Sequence, residues 1–452
     1  MLTPFPVQIE GARFLSNRQH ALLADDPRVG KTGSAIMACD DTLAETVLTV
    51  TTASGRPVWS RAWPQWSAFS MPATVMAGSS AKLPKAPRVI ISWGDVANPL
   101  VRNELMKRRW DRILLDEGHN AKNFEAKRTQ AVYGTPYDDG LGLAVDTALF
   151  NHGLGTWSLT GTPIPNAPND LYPMMRALCP DRLRAFSGFP DVTKYPDFLH
   201  RYCVVRMKAL PRGFRKIPVV VGGRNLEELR ARLGDFMLRR TQADVGIRQP
   251  VYETFPLTVS ARMLKEADGD LDRTNILAAA RAGETKLLEM ELGPLRRHTG
   301  ALKARAVVQA VKDEFDGGLD KIVLAHWHTE VGQILKDGLA SYGVVGIDGA
   351  TSADKRGEAE QRFLHDKAAR VFVGQIQAAG EAIDLSSASE LLFVETSLVP
   401  KDMAQMSKRI TNYTQAGFPR VRVAVLAGSI DEALEEVLLR KWSAIREVLK
   451  GD

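Results

Sequence analysis

The chain has 452 residues, of which 44% are hydrophobic and 25% are charged. This is the composition of an ordinary globular protein. We find neither a signal peptide nor an apolar run long enough to span a bilayer, so we expect a cytoplasmic protein with no membrane partner. The three scattered cysteines, Cys39, Cys179 and Cys203, lack metal-ligand spacing and fit buried thiols in a reducing compartment.

Positive charge is concentrated in one part of the chain. The net charge is +6 and the isoelectric point is about 9.1. Between Arg201 and Arg248, twelve Lys or Arg residues face four Asp or Glu, a local excess larger than that of the whole chain. Two interpretations stay open: a solvated basic face, or a track along a phosphate backbone.

The stretch from Ala21 to Thr32 predicts a phosphate-binding loop. Ala21 to Ala24 form an apolar run typical of a buried strand, and Gly30-Lys31-Thr32 opens a helix. A strand, a tight loop and a helix N-terminus together suit an anion, with Lys31 and the Thr32 hydroxyl available to phosphate and Mg²⁺. Asp25 stands where the strict pattern has its first glycine, so an ordinary helix start is the alternative.

Short apolar strands alternate with helical stretches on both sides of a central region. This alternation predicts α/β domains with parallel, doubly wound sheets and chemistry at the carboxyl ends of the strands. The predicted strands are Val47–Thr52, Val89–Trp93, Ile113–Asp116, Trp157–Thr160, Ile322–Trp327, Val344–Ile347, Val371–Gly374, Leu391–Glu395 and Val421–Leu426.

The central region interrupts the alternation between about residues 164 and 300. Segments 131–155 and 180–225 are rich in Gly and Pro and suggest insertions or long loops. Segments 226–245 and 260–292 suggest helices, and a helix at about 430–449 closes the chain.

We therefore expect two tandem α/β domains with a helical, basic insertion between them. The first domain covers 1–245, a helical protrusion or linker covers 246–300, and the second domain covers 301–452.

Acidic residues follow the strand that ends at Leu115. In Asp116-Glu117-Gly118-His119, Asp116 suits Mg²⁺ coordination and Glu117 suits polarisation of an attacking water. Alone, such a pair is usually an ordinary loop feature. The Gly-Lys-Thr upstream favours the functional interpretation, and the strand-end turn Thr160-Gly161-Thr162-Pro163 adds a candidate γ-phosphate sensor.

Taken in order, these motifs resemble the first motor domain of a superfamily-two helicase-like ATPase. The details resemble the Swi/Snf-type branch, and within it the annealing-helicase (HARP-like) subgroup. They are Lys122-Asn123 after the acidic motif, Phe236-Met237-Leu238-Arg239-Arg240-Thr241, Ile347-Asp348-Gly349-Ala350-Thr351-Ser352 with Arg356, and Gln405…Arg409…Gln415.

The resemblance implies two RecA-like domains that share one ATP with Mg²⁺. It assigns Gln8 to the adenine edge, and Arg409 to the γ-phosphate from across the interdomain cleft. The predicted nucleotide-binding set is Gln8, Arg28, Gly30, Lys31, Thr32, His119, Gln405 and Arg409, of which all but Arg28 are implied by the resemblance. Its catalytic set is Lys31, Asp116, Glu117 and Arg409, its metal ligands are Thr32 and Asp116, and its DNA contacts are Lys122, Asn123, Thr160, Thr162, Gly349, Thr351 and Gln377.

Several positions depart from the pattern of this branch. Asn412 stands at the second arginine of the last motif, and an arginine finger is worth about 10³–10⁵ in rate. Arg28 replaces a glycine of the phosphate loop: either it lends charge to the nucleotide, or it tolerates the backbone angle from the surface. Gln377 stands at a DNA-contacting threonine and Ala382 at a glycine, so the second half diverges more.

The resulting hypothesis is an ATP-driven translocase on double-stranded or branched DNA, with strand annealing or fork remodelling implied by the resemblance. We expect a monomer of bacterial or viral source. The alternatives are an ATP-gated DNA-binding module that barely hydrolyses, motivated by Asn412, and an RNA helicase. Trp59, Trp63 and Trp66 have helical spacing that favours a core-facing stripe over base stacking.

Overall fold

The computed structural model describes residues 2–76, 82–134, 148–161, 163–164, 167–185, 187–209, 216–260, 262, 285–380, 383–397, 400–413, 417–427, 431–432 and 435. The chain divides into two compact units, Met1–Val245 and Gly246–Asp452. Each unit contains a parallel sheet, which confirms the predicted α/β class.

The first unit is built on a seven-stranded sheet whose order is β3-β4-β2-β5-β6-β1-β9, with every neighbouring pair parallel. Its strands are β1 (His20–Leu23), β2 (Val47–Thr51), β3 (Ala73–Val75), β4 (Arg88–Ser92), β5 (Arg112–Asp116), β6 (Thr156–Leu159) and β9 (Met237–Leu238). An antiparallel hairpin joins β7 (Cys203–Ala209) and β8 (Lys216–Gly223).

Helices accompany these strands in chain order. They are α1 (Pro6–Ser16), α2 (Lys31–Asp41), α3 (Gly55–Trp66), α4 (Trp93–Val96), α5 (Pro99–Leu105), α6 (Lys127–Tyr133), α7 (Tyr172–Leu178), α8 (Tyr195–Tyr202) and α9 (Leu226–Leu233). Short 3₁₀ turns occupy Gly118–Ala121, Leu149–His152, Pro168–Leu171, Pro180–Leu183 and Gly234–Phe236.

Both faces of the first sheet are covered by apolar side chains. Along β1, Leu22 packs into one buried cluster, whereas Ala21 and Leu23 pack into the cluster on the other face. Such two-sided burial explains why the strands are continuous apolar runs rather than alternating ones. The tryptophan stripe of α3 is part of this core, since Trp59 and Trp63 are buried and Trp66 packs against the same cluster.

The strand order sets where the site forms. β6 lies between β1 and β5, so the loops that follow these three strands emerge side by side at the carboxyl edge of the sheet. In a doubly wound sheet this edge is where ligands bind.

Two expectations for the first unit need correction, and a third stays a prediction. Segment 180–225, expected as an insertion or long loop, contains α8 and the β7–β8 hairpin, so the long-loop alternative is wrong and the insertion stays a prediction. Segment 226–245, expected as a helix, ends its helix at Leu233 and then adds β9 to the edge of the sheet. Segment 131–155, also expected as an insertion or long loop, has the end of α6 and a 3₁₀ turn. Residues 135–147 lie outside the described residues, so that expectation stays a prediction.

The second unit has a six-stranded parallel sheet in the order β10-β15-β14-β11-β13-β12. Its strands are β10 (Val251–Leu257), β11 (Ile322–His326), β12 (Val344–Ile347), β13 (Val371–Gln375), β14 (Glu390–Phe393) and β15 (Arg420–Leu426). Its helices are α10 (Thr285–Asp316), α11 (Thr329–Gly338), α12 (Ala353–His365), α13 (Ile376–Ala379) and α14 (Pro400–Ser407), with 3₁₀ turns at Ala340–Tyr342 and Lys408–Ile410.

The expected helical linker at 246–300 is wrong in part. Its first portion contains β10, which pairs along its whole length with β15. The helix expected at 260–292 lies mostly outside the described residues, which resume with α10 at Thr285. Of the closing helix at about 430–449, only residues 431, 432 and 435 are described.

No helix in the described ranges has the length and apolar character needed to cross a membrane.

Candidate nucleotide-binding site

The phosphate loop begins α2 in a conformation that requires glycine. Gly30 precedes the first turn of the helix with φ 107°, in the left-handed region that favours glycine. A Cβ at Gly30 would also lie 2.3 Å from Nε2 of Gln8, so the loop packs directly on that side chain. Gln8 is buried and its Oε1 accepts a hydrogen bond from the Phe5 amide at 2.8 Å. The two predicted nucleotide contacts therefore lie together.

Lys31 reaches back over the loop that precedes it. Its Nζ donates to the carbonyl oxygens of Asp25 at 2.6 Å and Asp26 at 3.1 Å. Burial lowers the pKa of Lys31, although nearby carboxylates, led by Glu117, oppose that shift. A phosphate group offers this ammonium stronger acceptors than two neutral carbonyls. A bound phosphate would therefore compete well with the loop carbonyls for the Lys31 side chain.

Asp116 ends β5 at the centre of the site. Its Oδ2 accepts hydrogen bonds from Thr51 Oγ1 at 2.6 Å and from Trp59 Nε1 at 2.9 Å, while its carbonyl accepts one from Trp93 Nε1 at 2.8 Å. These donors fix the carboxylate and leave Oδ1 as the oxygen they do not occupy.

Glu117, His119 and Thr160 form a continuous polar contact. His119 Nδ1 lies 3.3 Å from Glu117 Oε2 and 2.9 Å from Thr160 Oγ1. Glu117 has φ 49°, a strained angle of the kind concentrated at functional sites. Through His119, the acidic motif after β5 is in contact with the turn after β6. A displacement of the Glu117 carboxylate can therefore change the contact with the Thr160 hydroxyl, and the reverse.

The residues present fit a magnesium–nucleotide complex. Mg²⁺ in phosphate sites is usually held by one or two protein oxygens, water and the phosphates themselves. Asp116 offers an oriented carboxylate, and Thr32 lies in the first turn of α2. Within the described ranges there is no group of three or more His, Cys, Asp or Glu side chains that could hold a metal alone.

Arg28 also has a positive φ, 74°. For a residue with a Cβ this backbone angle destabilises the folded state by about 1–2 kcal/mol. Glycine removes that strain but loses more backbone entropy on folding, which offsets about 0.5–1 kcal/mol of the gain. We expect Arg28→Gly to raise the free energy of unfolding by about 0.5–1 kcal/mol, measured by urea denaturation.

The same variant separates the two roles of Arg28. A severalfold rise in the ATP KM assigns the side chain to the nucleotide, and an unchanged KM assigns it to the surface. Leu43→Gly is the matched control, because Leu43 has φ 51° and is exposed. A loss of stability in Arg28→Gly contradicts the strain argument.

The environment of Asp116 predicts a pH-dependent stability. Burial, together with the charge of Glu117, raises the pKa of Asp116 above its ordinary value. The folded state therefore holds this proton more tightly than the unfolded chain, so the associated stabilisation is present at low pH and lost as pH rises through the folded-state pKa.

We expect Asp116→Asn to be more stable than the parent at neutral and higher pH, and the advantage to shrink on acidification. Urea unfolding at a series of pH values measures it. An advantage that grows as pH falls contradicts the expected sign.

The candidate residues of the second unit lie at the carboxyl end of its sheet. The Gly349 amide donates to Gln375 Oε1 at 2.8 Å, and Thr351 Oγ1 donates to Asp348 Oδ1 at 2.9 Å. Gln377 is exposed on α13. Arg409 is buried, and its Nε and Nη2 donate to the Gly380 carbonyl at 3.0 and 2.5 Å. Its reach to a γ-phosphate stays a prediction.

The remaining predicted DNA and nucleotide contacts differ in their burial and in their hydrogen bonds. The Asn123 side chain accepts from the Glu125 amide at 2.9 Å, which builds the turn before α6, and Lys122 and Gln405 are half-buried. Thr162 lies outside the described residues.

Sequence reasoning missed four residues of this site. Thr51 and Trp59 orient Asp116, while Asp25 and Arg240 pair behind the loop, with two hydrogen bonds at 3.1 and 2.5 Å. A polar residue at the end of buried β2 was a usable signal for Thr51. The pairing of Asp25 with a side chain so distant in sequence had no local signal.

Comparisons with known proteins agree with the motifs. Residues 7–262 match the SNF2-related domain family. The DNA annealing helicase and endonuclease ZRANB3 of Homo sapiens is 26% identical over 301 residues, which are 65% of this chain and 27% of that protein. The Caenorhabditis elegans homolog of SWI/SNF-related matrix-associated actin-dependent regulator of chromatin subfamily A-like protein 1 is 27% identical over 468 residues, 98% of this chain and 61% of that protein.

A solved structure, the Sulfolobus solfataricus SWI2/SNF2 ATPase core in complex with dsDNA, is 20% identical, with a TM-score of 0.44, and covers 100% of this chain and 94% of that one. The chain spans less than two thirds of the length of the two curated relatives. Since the family match covers more than half of the chain, the chain belongs to the SNF2-related domain family, and its resemblance to Swi/Snf-type helicase-like ATPases of the annealing-helicase subgroup is confirmed.

Proposed function

We propose that this protein is an ATP-dependent translocase on double-stranded DNA. The observation that carries the proposal is the convergence of Lys31, Asp116, Glu117, His119 and Thr160 on adjacent strand ends of one sheet. A cation for phosphate, a carboxylate for Mg²⁺ and a carboxylate for water are the groups that triphosphate hydrolysis needs.

Each side chain has a chemical task in this proposal. Lys31 leaves the loop carbonyls and binds the outer phosphates. Thr32 and Asp116 would hold Mg²⁺, which would supply positive charge beside the phosphate oxygens. Glu117 orients the attacking water, and His119 transmits the state of Glu117 to Thr160, one of the proposed DNA contacts.

Exposed arginines of the first unit support a DNA backbone contact. The arginines of the basic stretch differ in their surroundings. Three of them pair with carboxylates of the protein, namely Arg201, Arg232 and Arg240, whereas Arg206 and Arg230 are exposed. Exposed arginines suit phosphates of any sequence and give a steep salt dependence of binding. Strand annealing is proposed from the name of the annealing-helicase relative, and fork remodelling from the resemblance to its subgroup.

Steady-state phosphate release tests the proposal. It is measured without nucleic acid and with single-stranded DNA, duplex DNA, forked DNA or duplex RNA, beside Lys31→Ala. We expect duplex or forked DNA to stimulate release, and Lys31→Ala to abolish it. Stimulation by RNA alone points to an RNA helicase instead.

An ATP-gated DNA-binding module is the second candidate. Asn412 replaces a cationic position of the last motif, and Arg409 contacts the Gly380 carbonyl of its own unit. This candidate predicts ATP-dependent DNA affinity with no DNA-stimulated phosphate release, which the same assay combined with a DNA-binding titration detects.

A further inference from the structure

The phosphate loop is hydrogen-bonded along its length to residues 238–242. The Ala24 amide donates to the Leu238 carbonyl at 2.7 Å, and the Asp26 amide donates to the Arg240 carbonyl at 2.9 Å. From the other side, Gln242 Nε2 donates to the Pro27 carbonyl at 2.9 Å. These bonds continue the parallel pairing of β1 with β9 into the loop, so neither segment shifts without disturbing the other.

A buried ion pair locks the two segments together. Asp25 is 0% exposed and Arg240 is 8% exposed. Arg240 donates Nε to Asp25 Oδ1 at 3.1 Å and Nη2 to Oδ2 at 2.5 Å, and its amide donates to Oδ1 at 3.0 Å. Two parallel bonds fix orientation as well as distance. Removing Arg240 leaves the buried Asp25 carboxylate without this charged partner, whereas removing Asp25 leaves Arg240 with Glu10 as its carboxylate partner.

Arg240 also holds the helix that carries Gln8. Its Nη1 donates to the Val7 carbonyl at 2.7 Å and to Glu10 Oε2 at 2.8 Å. One guanidinium therefore ties together the proposed adenine contact, the phosphate loop and the end of β9.

The Asp25 backbone completes the connection to the nucleotide. Its carbonyl accepts the Lys31 ammonium at 2.6 Å, while its carboxylate accepts Arg240. When Lys31 turns to a phosphate, the Asp25 peptide loses a cationic partner. Arg240 lies shortly before the end of the first unit at Val245. The segment bonded to Asp25 is therefore the one that continues along the chain into the second unit.

We propose that Asp25 and Arg240 are positioning residues that lock the phosphate loop to the segment leading into the second unit, so that nucleotide binding and the conformation of that segment are coupled. The inference depends on the proposed function in one respect: it takes ATP as the ligand of the phosphate loop. A merely structural pair would stabilise the fold without responding to nucleotide.

Hydrogen exchange with and without MgATP tests the coupling, read at the amides of Asp26, Arg240 and Gln242. In the parent we expect MgATP to slow exchange by about fivefold or more, the lower end of ordinary allosteric couplings. In Asp25→Asn, and in Arg240→Lys, which keeps the charge but loses the fork, we expect this response to fall below about twofold while MgATP still binds.

Arg232→Lys is the matched control. Arg232 is a buried arginine of the same unit that pairs with Glu228 at 3.4 Å and donates to the Arg182 carbonyl at 2.8 Å. We expect it to lower Tm while the exchange response to MgATP is retained.

Two results overturn the proposal: no nucleotide response at these amides in the parent, or an undiminished response in both loop variants. Phosphate release on duplex DNA is measured in parallel. If MgATP slows exchange in the parent but the parent does not hydrolyse ATP, the coupling proposal is supported and the proposed translocase function is contradicted.

Discussion

Glu117→Gln is expected to lower kcat for ATP hydrolysis by about 10²–10⁴-fold, the usual contribution of a positioned acid–base group. The amide keeps the shape of the carboxylate but does not attract a water proton, so MgATP affinity should change little. Single-turnover phosphate release measures the chemical step, and a nucleotide-binding titration measures the affinity.

Glu125→Gln is the control for this substitution. Glu125 is an exposed carboxylate close in sequence to the acidic motif, and we expect hydrolysis at the parent rate. If Glu117→Gln is no slower than the parent, Glu117 is not the group that activates water, and the ATP-gated binding module becomes the better proposal.

Arg409→Ala is expected to have an effect of similar or larger size. A cation that contacts the transferred phosphoryl group contributes about 10³–10⁵ in rate, and Asn412 offers no second cation. We expect single-turnover hydrolysis on duplex DNA to fall by at least about 10³-fold, with ATP binding to the first unit retained.

Arg370→Ala controls for the loss of an arginine that holds backbone carbonyls. Arg370 lies in the same unit as Arg409, donates to the Asp320 carbonyl at 3.0 Å and packs 4.2 Å over the Phe315 ring. It should reduce stability without the loss of rate. Unchanged hydrolysis in Arg409→Ala would remove the proposal that the two units share one nucleotide.

The central strands could be predicted because both of their faces are buried. Runs such as Ile322–His326 are buried at every position and apolar at all but the last, and a signal of this kind is independent of the surrounding fold. The predicted ends differ from the observed ones by a residue or so, since strand boundaries depend on pairing partners that a local pattern does not contain.

Three edge strands, β3, β9 and β10, escaped prediction. For β9 and β10 the reasons are physical. β9 has only two residues, and it exists because the chain returns to pair with β1. β10 contains Pro256 and exposes Val251, features that favour an edge strand or no strand. In both cases tertiary pairing decides the structure, whereas local propensity is weak.

The site divides in a similar way. That Lys31, Asp116 and Glu117 lie close together could be predicted, because loops after parallel strands converge. Their roles, and that of Gly30, stay predictions. The residues that orient them could not be predicted. Trp59 fits the core-facing stripe that its spacing predicts and in addition donates its indole N–H to Asp116, a second role that only the folded chain reveals.

That indole contact gives the protein an optical reporter of its own. Trp59 and Trp93 both donate to Asp116, one to the carboxylate and one to the carbonyl. When a divalent cation draws electron density from that carboxylate, the emission of the adjacent indole should shift. Occupancy of the proposed metal position could then be followed in unlabelled protein by its ultraviolet fluorescence. Trp59→Phe, which removes one of the eight tryptophans, is the reference that should not respond.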